Sequence, residues 1–436
     1  MHSHIVVGLA FGDEGKGSWV DYLCRKHNIK NVVRFNGGAQ ALHHVTTEAG
    51  VTHGFSQFGS HSFVPGAKTL LSRFMLIEPI ELMQEAFKLK QKGILAVLRT
   101  LFISADAPII PYTNVLLNRI MEAARGNQRH GSCGLGIGLT QRDIDVGTKP
   151  VIRAGDLLNL SLLRSKVTEH FIATIEEARE WIGDGKSVYA QELARFDVEQ
   201  YLEILEAFAP RVRIIPETLF LSLIRRDAAV FEGAQGALLD QYQGTFPYCT
   251  RSTTTTANAE TLLHDAGFTG AVTRHGLLRA YGTRHGAGPF VTEEKVAIPL
   301  CDNSRGEWQG AFRQGWFDAV AARTALQFSQ VDEIAITNLD RLNGLETIKY
   351  ASVYRECEDK FYDHLARRLR TVSSYEESTA RSSMLLRAYP VYQSLSGYRD
   401  EHDLKQIEFV QALQSEIGQT ITALSYRKDH HKISLI

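Results

Sequence analysis

"HIVVGLAFGDEGKGSWVDYLC", residues 4–24, runs from an apolar strand pattern through a glycine-rich turn into a helical pattern. Glycines let backbone N–H groups approach phosphate oxygens, and the N-terminus of a following helix favours negative charge, so this unit predicts a phosphate-binding loop. Two glycines five residues apart match part of the G-x-x-x-x-G-K-[ST] pattern, but Lys16 precedes the second glycine, and G-x-G-x-x-G is absent. Unlike either pattern, the loop has two acids, Asp13 and Glu14, at its centre.

These two acidic residues need an explanation, because a carboxylate repels a phosphate. Asp13 suits a role in holding Mg²⁺ or in removing a proton from a second substrate beside the phosphate. Lys16 adds a positive charge to the phosphate cradle. The alternative interpretation is that Asp13 and Glu14 are solvated turn residues without a chemical role.

The composition is that of an ordinary globular protein. The 436 residues include 48 Lys and Arg against 49 Asp and Glu, a net charge of −1, which predicts no nucleic-acid or membrane partner. Five scattered cysteines without a C-x-x-C pair indicate neither a disulfide framework nor a structural zinc site, and they predict a cytoplasmic location. The N-terminal segment lacks a signal-peptide pattern, and the chain has no run of ~18 apolar residues that predicts a membrane helix.

Short apolar strand patterns alternate with helical patterns along the chain. The predicted strands are "HIVVGL", "NVVRF", "DAAVFEG", "GLLRAYG" and "EIAITNLD". The predicted helices begin at Ser18 and lie near "EPIELMQEAFKLKQKG", "WFDAVAARTALQF" and "DLKQIEFVQALQSEIG". This alternation predicts an α/β fold with a large, mostly parallel central sheet flanked by helices. No linker divides the chain, so residues 1–436 are expected to form a single domain.

Three further glycine-bearing segments each follow a strand pattern. They read "FNGGAQ", "FEGAQGALLD" and "YGTRHGAGPF". Ligands of open α/β sheets bind at the carboxyl ends of the strands, so these segments and the first loop are expected to converge on one site.

Five segments in order along the chain resemble the adenylosuccinate synthetase family: "GDEGKG", "VVRFNGGAQALHHV", "FEGAQGALLDQYQGTFPYCT", "RAYGTRHGAGPF" and "GWFDAVAAR". The resemblance implies a P-loop-NTPase-like sheet with smaller excursions. It also implies a carbon–nitrogen ligase of purine biosynthesis that uses GTP to activate the 6-oxo group of inosine monophosphate (IMP), then joins aspartate to that carbon. Mg²⁺ as cofactor, small-molecule substrates and a homodimer are expected from the same resemblance.

The resemblance assigns the chemistry to a few positions. Asp13 corresponds to the base that removes the purine N1 proton and also binds the metal, together with the backbone carbonyl of Leu42. His43 corresponds to the histidine that stabilises the γ-phosphoryl group during transfer, with the adjacent His44 as its rival. An ordinary, satisfied side chain is the alternative for either histidine.

The binding positions implied by the resemblance form three groups. Phosphate and GTP are assigned to Gly12, Gly15, Lys16, Gly17 and Asp340, the purine nucleotide to Gln40, Cys133, Gln235 and Thr250, and the amine to Arg313. The alternatives are a polar strand-end and turn pair for Gln235 and Thr250, and an acid before a turn for Asp340.

The segment "EWQGAFRQGW", residues 307–316, departs from the family loop that grips aspartate, because Arg313 alone clearly remains of its arginines. Two substrate carboxylates call for several bidentate guanidinium donors, and Glu307 would repel a dicarboxylate. The loop therefore predicts that aspartate is a poor substrate. The alternative is that Arg279, Arg284 or Arg305 replaces the lost donors.

Other departures lie at the recognition surfaces. At five positions this sequence has a different residue from the family pattern: Gln40 stands where the family has Asn, Leu42 where it has Gly, Cys133 where it has Thr, Leu135 where it has Arg, and Asn338 where it has Lys. Gly147 falls near an arginine that reaches the partner subunit's nucleotide, with Arg142 and Lys149 as shifted candidates, and Arg427 is the recognisable residue of the C-terminal motif.

Three functions remain open at this point. One is an adenylosuccinate synthetase with unusual loops. The second is a ligase of the same mechanism that takes another amine or oxo-purine nucleotide, which the thinned arginine loop ranks slightly higher. The third is a nucleotide-binding regulatory protein without turnover, against which the retained Asp13 and His43 argue.

Overall fold

The structure, a computed structural model, describes residues 1–126, 129, 131–183, 187–295, 298, 308, 310–426 and 433–435. Within these ranges the strands are β1 (His2–Gly8), β2 (Asn31–Arg34), β3 (His43–Thr46), β4 (Thr52–Phe55), β5 (Lys68–Leu71), β6 (Leu101–Ser104), β7 (Arg213–Ile215), β8 (Ala229–Glu232), β9 (Ala271–Arg279), β10 (Gly282–His285), β11 (Phe312–Gly315), β12 (Phe317–Asp318), β13 (Glu333–Thr337), β14 (Thr347–Arg355), β15 (Tyr362–Asp363), β16 (Arg368–Leu369), β17 (Tyr389–Ser396), β18 (Ile421–Ser425) and β19 (Ile433–Leu435).

The helices of the described ranges flank these strands. They are α1 (Lys16–Lys26), α2 (Pro79–Gln91), α3 (Tyr112–Arg125), α4 (Ile137–Val146), α5 (Leu160–Ala178), α6 (Val188–Ala194), α7 (Val198–Phe208), α8 (Glu217–Arg226), α9 (Ala257–Asp265), α10 (Ala319–Phe328), α11 (Tyr375–Leu385) and α12 (Leu404–Ile417). None of the helices in the described ranges is both long enough and apolar enough to cross a membrane.

A central sheet of ten strands organises the described chain, in the order β19-β18-β13-β9-β1-β8-β2-β5-β6-β7. Every neighbouring pair in it is parallel except β18 and β19, which are antiparallel. The predicted α/β fold with a large, mostly parallel sheet is confirmed. The smaller excursions include the antiparallel pairs β3–β4 and β10–β11 and the three-stranded sheet β12-β14-β17.

Strand β1 lies in the middle of the sheet and is covered on both faces. Its alternate residues Ile5 and Val7 join one buried cluster, whereas Val6 joins a second cluster together with Trp19 and Val20 of α1. A strand buried on both faces reads as a continuous apolar run, which is why "HIVVGL" identified it.

Most predicted elements fall near their observed bounds, but β9 begins at Ala271, five residues before "GLLRAYG", and Phe317–Asp318 within the predicted helix pattern "WFDAVAARTALQF" form β12. Helix α1 begins at Lys16, two residues before the predicted Ser18, because Gly15 adopts a left-handed conformation (φ 81°) that turns the chain directly into the helix. Gly17 in the first turn permits close packing, since a Cβ there would lie 2.9 Å from the carbonyl oxygen of His44. The turn therefore supplies helical N–H groups earlier than the apolar pattern predicts.

Histidine rings cluster at the amino-terminal end of β1. The buried His4 ring stacks between His2 and His27, with centroid distances of 4.5 and 4.6 Å, and its Nδ1 lies 3.0 Å from Nε2 of His275. Burial, reinforced by the three neighbouring histidines, lowers the pKa of His4 to about 3, while Glu333 opposes this shift. The ring is therefore neutral in the folded protein over the whole physiological range.

We predict that this cluster makes the fold sensitive to mild acid. Because His4 has a depressed pKa only when folded, the unfolded chain binds a proton below its ordinary pKa of about 6.5 that the native protein does not, so stability falls as pH drops from about 6.5 towards 3. Urea unfolding of His4→Phe, which keeps an apolar ring, should show a smaller loss of midpoint between pH 7 and pH 5 than wild type. The exposed His264→Phe is the control, and equal acid losses in His4→Phe and wild type would contradict the prediction.

Candidate active site

A cavity of about 820 Å³ opens at the carboxyl ends of the central strands. Its described walls come from the first loop, the entry to β3, the loop after β8, the segment around β10 and the residues that follow β13. Helix α3, the segment 131–142 that enters α4, Tyr375 and Ser425 complete the described lining. The glycine-bearing segments predicted to converge are represented in it by Gln40, Gln235 and His285. Of the candidate residues, those that line the cavity are Gly12, Asp13, Gly15, Lys16, Gly17, Gln40, Leu42, His43, His44, Cys133, Gln235 and Thr250.

Glu14 explains the unusual acid pair of the first loop. Its fully buried carboxylate accepts hydrogen bonds from the backbone N–H groups of Ala10 (3.1 Å) and Gly12 (2.8 Å) and pairs with Nζ of Lys16 at 2.7 Å. The interpretation of Glu14 as a solvated turn residue is therefore wrong. Glu14 holds the loop in shape and fixes the Lys16 ammonium at the start of α1.

Asp13, in contrast, lies on the cavity wall, and its side chain is 29% exposed. Its Oδ2 lies 3.3 Å from Nε2 of His285, and its backbone carbonyl accepts a hydrogen bond from Arg279 at 3.0 Å. Burial alone would raise the pKa of Asp13, but His285, Arg279 and Lys16 outweigh that effect and lower it. The residue is thus a carboxylate with a left-handed backbone (φ 64°), held facing the cavity.

His43 is backed by a buried acid that the sequence did not reveal as its partner. Its Nδ1 lies 2.5 Å from Oε1 of Glu232, the last residue of β8, and the other oxygen of Glu232 accepts the backbone N–H of Ser60 at 2.9 Å. Burial lowers the pKa of His43 to about 4 against the opposing effect of Glu232, and the pKa of Glu232 is held at about 2 despite its burial, foremost by Arg34. Because Nδ1 is occupied, Nε2 is the ring nitrogen left for a ligand, whereas the neighbouring His44 is exposed.

Polar side chains from distant segments meet on the β8 side of the cavity. Nε2 of Gln235 donates to Oγ1 of Thr250 at 2.8 Å, so these two candidates do form a pair. The amide atoms of Gln40 are buried without a hydrogen-bond partner within the described chain. Burial raises the pKa of Cys133 to about 11, so its thiol is neutral.

Arg313 is engaged elsewhere. Its Nε and Nη2 form a bidentate pair with Glu293 at 3.0 and 2.5 Å, and its Nη1 donates to the carbonyls of Gly286 and Gly288, each at 2.9 Å. It is not among the described residues that line the cavity, although Arg279 and Arg284 are. Two other residues considered for this site, Arg305 and Glu307, lie outside the described residues.

The β13 side of the cavity has a different character. Thr337, Asn338 and Arg341 line it, together with Ser425 at the end of β18. Asp340 lies in the same turn as Arg341, with its Oδ2 3.9 Å from Nε of that arginine. Arg427, the recognisable residue of the C-terminal motif, lies outside the described residues.

The two shifted candidates for a partner-subunit contact are paired within the chain. Arg142 forms a bidentate pair with Glu177 at 2.6 and 2.8 Å, and Lys149 contacts the same carboxylate at 2.8 Å. Sequence reasoning also missed His285, for which the only signal was its position directly after Arg284 in a glycine-rich segment.

Comparison with known proteins agrees with this geometry. The family model described as adenylosuccinate synthetase matches residues 5–434. Adenylosuccinate synthetases of Anaplasma marginale and Chlorobium chlorochromatii are each 32% identical to the chain, the first covering 99% of both sequences and the second 97% of this chain and 94% of its own length.

Two solved structures share the fold. A fully ligated adenylosuccinate synthetase from Plasmodium falciparum matches with a TM-score of 0.75 at 21% identity, covering 100% of this chain and 99% of its own. A cyanophage S-2L succinoaminodeoxyadenylate synthetase, bound to dGMP and dATP, matches with a TM-score of 0.54 at 14% identity, covering 100% and 95%. With a family model over nearly its whole length and relatives above 30% identity, this chain belongs to the adenylosuccinate synthetase family.

Proposed function

We propose that this protein is a GTP-dependent carbon–nitrogen ligase that joins aspartate to C6 of IMP. The observation that supports the proposal best is the arrangement of Asp13 and His43, both on one cavity wall, with His43 backed by Glu232. A base and a charge-stabilising imidazole in one cavity are the two groups that phosphoryl activation of an oxo-purine requires.

The proposed reaction has two steps. Asp13 takes the proton from purine N1, and the resulting 6-oxyanion attacks the γ-phosphorus of GTP, releasing GDP and leaving a phosphoryl group on O6. The amine of aspartate then attacks C6, loses a proton, and expels inorganic phosphate. Asp13 suits the first step because its lowered pKa keeps it ionised at neutral pH.

His43 is proposed to act on charge that develops during transfer. In the free protein its ring is neutral, with Nδ1–H held by Glu232. Phosphate oxygens near Nε2 would favour the imidazolium form, and Glu232 would serve as its buried counter-ion. Nε2–H would then donate to the moving phosphoryl group, where a preorganised donor is most effective.

The residues present fit a bound Mg²⁺. Asp13 supplies a carboxylate, and Leu42, which lines the same cavity, supplies a backbone carbonyl, both of them hard oxygen donors of the kind Mg²⁺ selects beside substrate phosphates. When bound, the ion would neutralise phosphate charge. Gly12, Gly15 and Gly17 are proposed to bring backbone N–H groups to those phosphates, with Lys16 beside them.

Recognition is proposed to divide across the cavity. Asp340, with Asn338 at the entry to its turn, would accept hydrogen bonds from the guanine of GTP on the β13 side. Gln40, Cys133, Gln235 and Thr250 would hold IMP on the β8 side. Arg313 stays our proposal for a substrate carboxylate, on condition that it releases Glu293, and Arg279 and Arg284 are the alternatives on the cavity wall.

The altered-amine function ranked slightly higher by sequence reasoning is not favoured by the comparisons. The relatives of 30% identity or more that cover nearly the whole chain carry the name adenylosuccinate synthetase. The arginine-poor loop on which the altered-amine argument depended lies partly outside the described residues.

We also propose that residues 1–436 act as one catalytic unit, and that the protein is a cytoplasmic homodimer. Free thiols at Cys24, Cys133, Cys249 and Cys357 suit a reducing compartment. Because Arg142 and Lys149 pair within their own chain, the dimer proposal rests on the family alone. Light scattering that gives the monomer mass of 48.7 kDa would contradict it.

The proposed function predicts that aspartate is the amine used. Purified protein that is given IMP, GTP, Mg²⁺ and aspartate should release phosphate and form a product of adenylosuccinate mass. With glycine, alanine or asparagine in place of aspartate, we expect neither phosphate release nor such a product. Phosphate release and product mass are the measurements. Faster turnover with another amine than with aspartate would restore the altered-amine function, and no turnover with any of them would favour a regulatory protein.

Asp13→Asn should lower turnover by ~10²–10⁴-fold, because an amide cannot take the N1 proton. Binding of the purine nucleotide, measured by calorimetry, should be largely retained. Asp359→Asn, at an exposed aspartate, is the control for the same change of charge. A rate for Asp13→Asn within a few-fold of wild type would show that another group is the base.

His43→Ala should lower kcat more than it raises the KM values of the substrates, because the imidazole acts mainly in the transition state. His44→Ala should be milder, since His44 is exposed and it is the His43 ring that Glu232 orients. Steady-state kinetics of both variants measure which histidine contributes more to turnover. Greater damage in His44→Ala would mean that the catalytic histidine was assigned wrongly.

A further inference from the structure

The cationic side chains of the cavity wall differ in what they already contact. Lys16 pairs with Glu14 at 2.7 Å, and Arg142 pairs with Glu177 at 2.6 Å. Arg284 donates to two backbone carbonyls. Each of these three cations already has an acid or carbonyl partner within the chain, so a cavity cation without such a partner is the one most available to a further anionic group.

Arg251 is such a charge. It lines the cavity, is only partly exposed, and makes no hydrogen bond or ion pair with any residue of the described chain. A guanidinium that loses part of its hydration without gaining a partner carries a desolvation cost, which a bound anion would offset. Its position on the wall of a nucleotide-sized cavity makes that anion a ligand group.

The position of Arg251 in the cavity indicates which ligand group it would contact. Gln235 borders the first loop, since a Cβ on Gly12 would lie 3.8 Å from its Cα, and Gln235 in turn donates to Thr250. Arg251 follows Thr250 directly. Ser252, on the other side of Arg251, accepts the backbone N–H of Gly37 at 3.2 Å, so Arg251 lies where the loop after β8 meets the loop after β2, a strand farther from β1 than β8 is. Asp13, beside which the reacting end of the purine has to lie, follows β1 itself.

Strand order separates Arg251 from the triphosphate. In the sequence β13-β9-β1-β8 of neighbouring strands, the β8 loop that carries Arg251 lies on one side of the first loop, and the proposed guanine site after β13 lies on the other. The nucleoside triphosphate therefore extends towards β13, and the acceptor nucleotide occupies the β8 side.

We propose that Arg251 binds the 5′-phosphate of the acceptor nucleotide, alongside Thr250, within the same subunit. This inference rests on the proposed function for the identity of the acceptor. A phosphate dianion matches the planar donor fork of a guanidinium, and the 5′-phosphate is the anionic group at the end of IMP remote from C6.

Calorimetric binding of IMP and of inosine, which lacks the phosphate, tests the proposal directly. Arg251→Ala should weaken IMP binding by about 10- to 100-fold and leave inosine binding unchanged. Arg251→Lys, which keeps the charge but loses the bidentate fork, should fall between Arg251→Ala and wild type. Arg387→Ala, at an arginine with a 67% exposed side chain that is not among the described residues lining the cavity, is the matched control and should bind both ligands as wild type does.

Steady-state kinetics distinguish a loss of IMP binding from a loss of GTP or aspartate binding. The KM for IMP should rise in Arg251→Ala while the KM values for GTP and aspartate stay constant. Unchanged IMP binding, equal losses for IMP and inosine, or a rise confined to the aspartate KM would each overturn the assignment. Wild-type protein that binds IMP tightly without turnover would contradict the proposed function, whereas the comparison of IMP with inosine would still decide the role of Arg251.

Discussion

The buried carboxylate of Glu14 is the interaction on which the site depends. It ties the N–H groups of the turn to the ammonium of Lys16 through both of its oxygens. Gly8 at the end of β1 is required for the same reason, since a Cβ there would collide with the Glu14 carboxylate. Breaking such a pair by removing one partner leaves an uncompensated buried charge, which is strongly destabilising. The loop is consequently held in shape by contacts within the chain itself, and these contacts position the backbone that presents Asp13.

The order of strands around β1 then distributes the remaining functions. Strand β8 lies beside β1 and ends in Glu232, which orients His43 from behind, while β9 lies on the other side and ends in Arg279, which contacts the carbonyl of Asp13. Two central strands thus each place a charged group behind one of the two proposed catalytic side chains. The proposed catalytic residues lie beyond the carboxyl end of β1, and the proposed nucleotide-binding regions lie on its β8 and β13 sides.

The central sheet and the convergence of its loops could be predicted from the sequence, whereas the partners of several site residues could not, for a physical reason. Buried parallel strands are continuous apolar runs, and glycine turns are local patterns, so the sheet and the convergence of its loops followed from short segments. The pairing of His43 with Glu232 joins residues 189 positions apart, and that of Arg313 with Glu293 joins residues 20 apart across a hairpin. No local pattern encodes such partners, so the sequence did not reveal that Arg313 is paired with Glu293. Glu14 was misjudged because a loop acid looks the same in sequence whether its carboxylate faces solvent or the backbone.

The edge strands of the central sheet affect how readily copies of the chain associate with one another. Within the part of the chain that the structure describes, the outermost strands, β7 and β19, are each three residues long, and β19 runs antiparallel to β18. An exposed strand edge is a template for pairing with another molecule, and shortening it is one way in which natural sheets avoid such pairing. A sheet of ten strands that tapers to short margins offers few unpaired backbone groups to a neighbour. The architecture therefore disfavours end-to-end polymerisation, which helps to keep a crowded population of this enzyme dispersed.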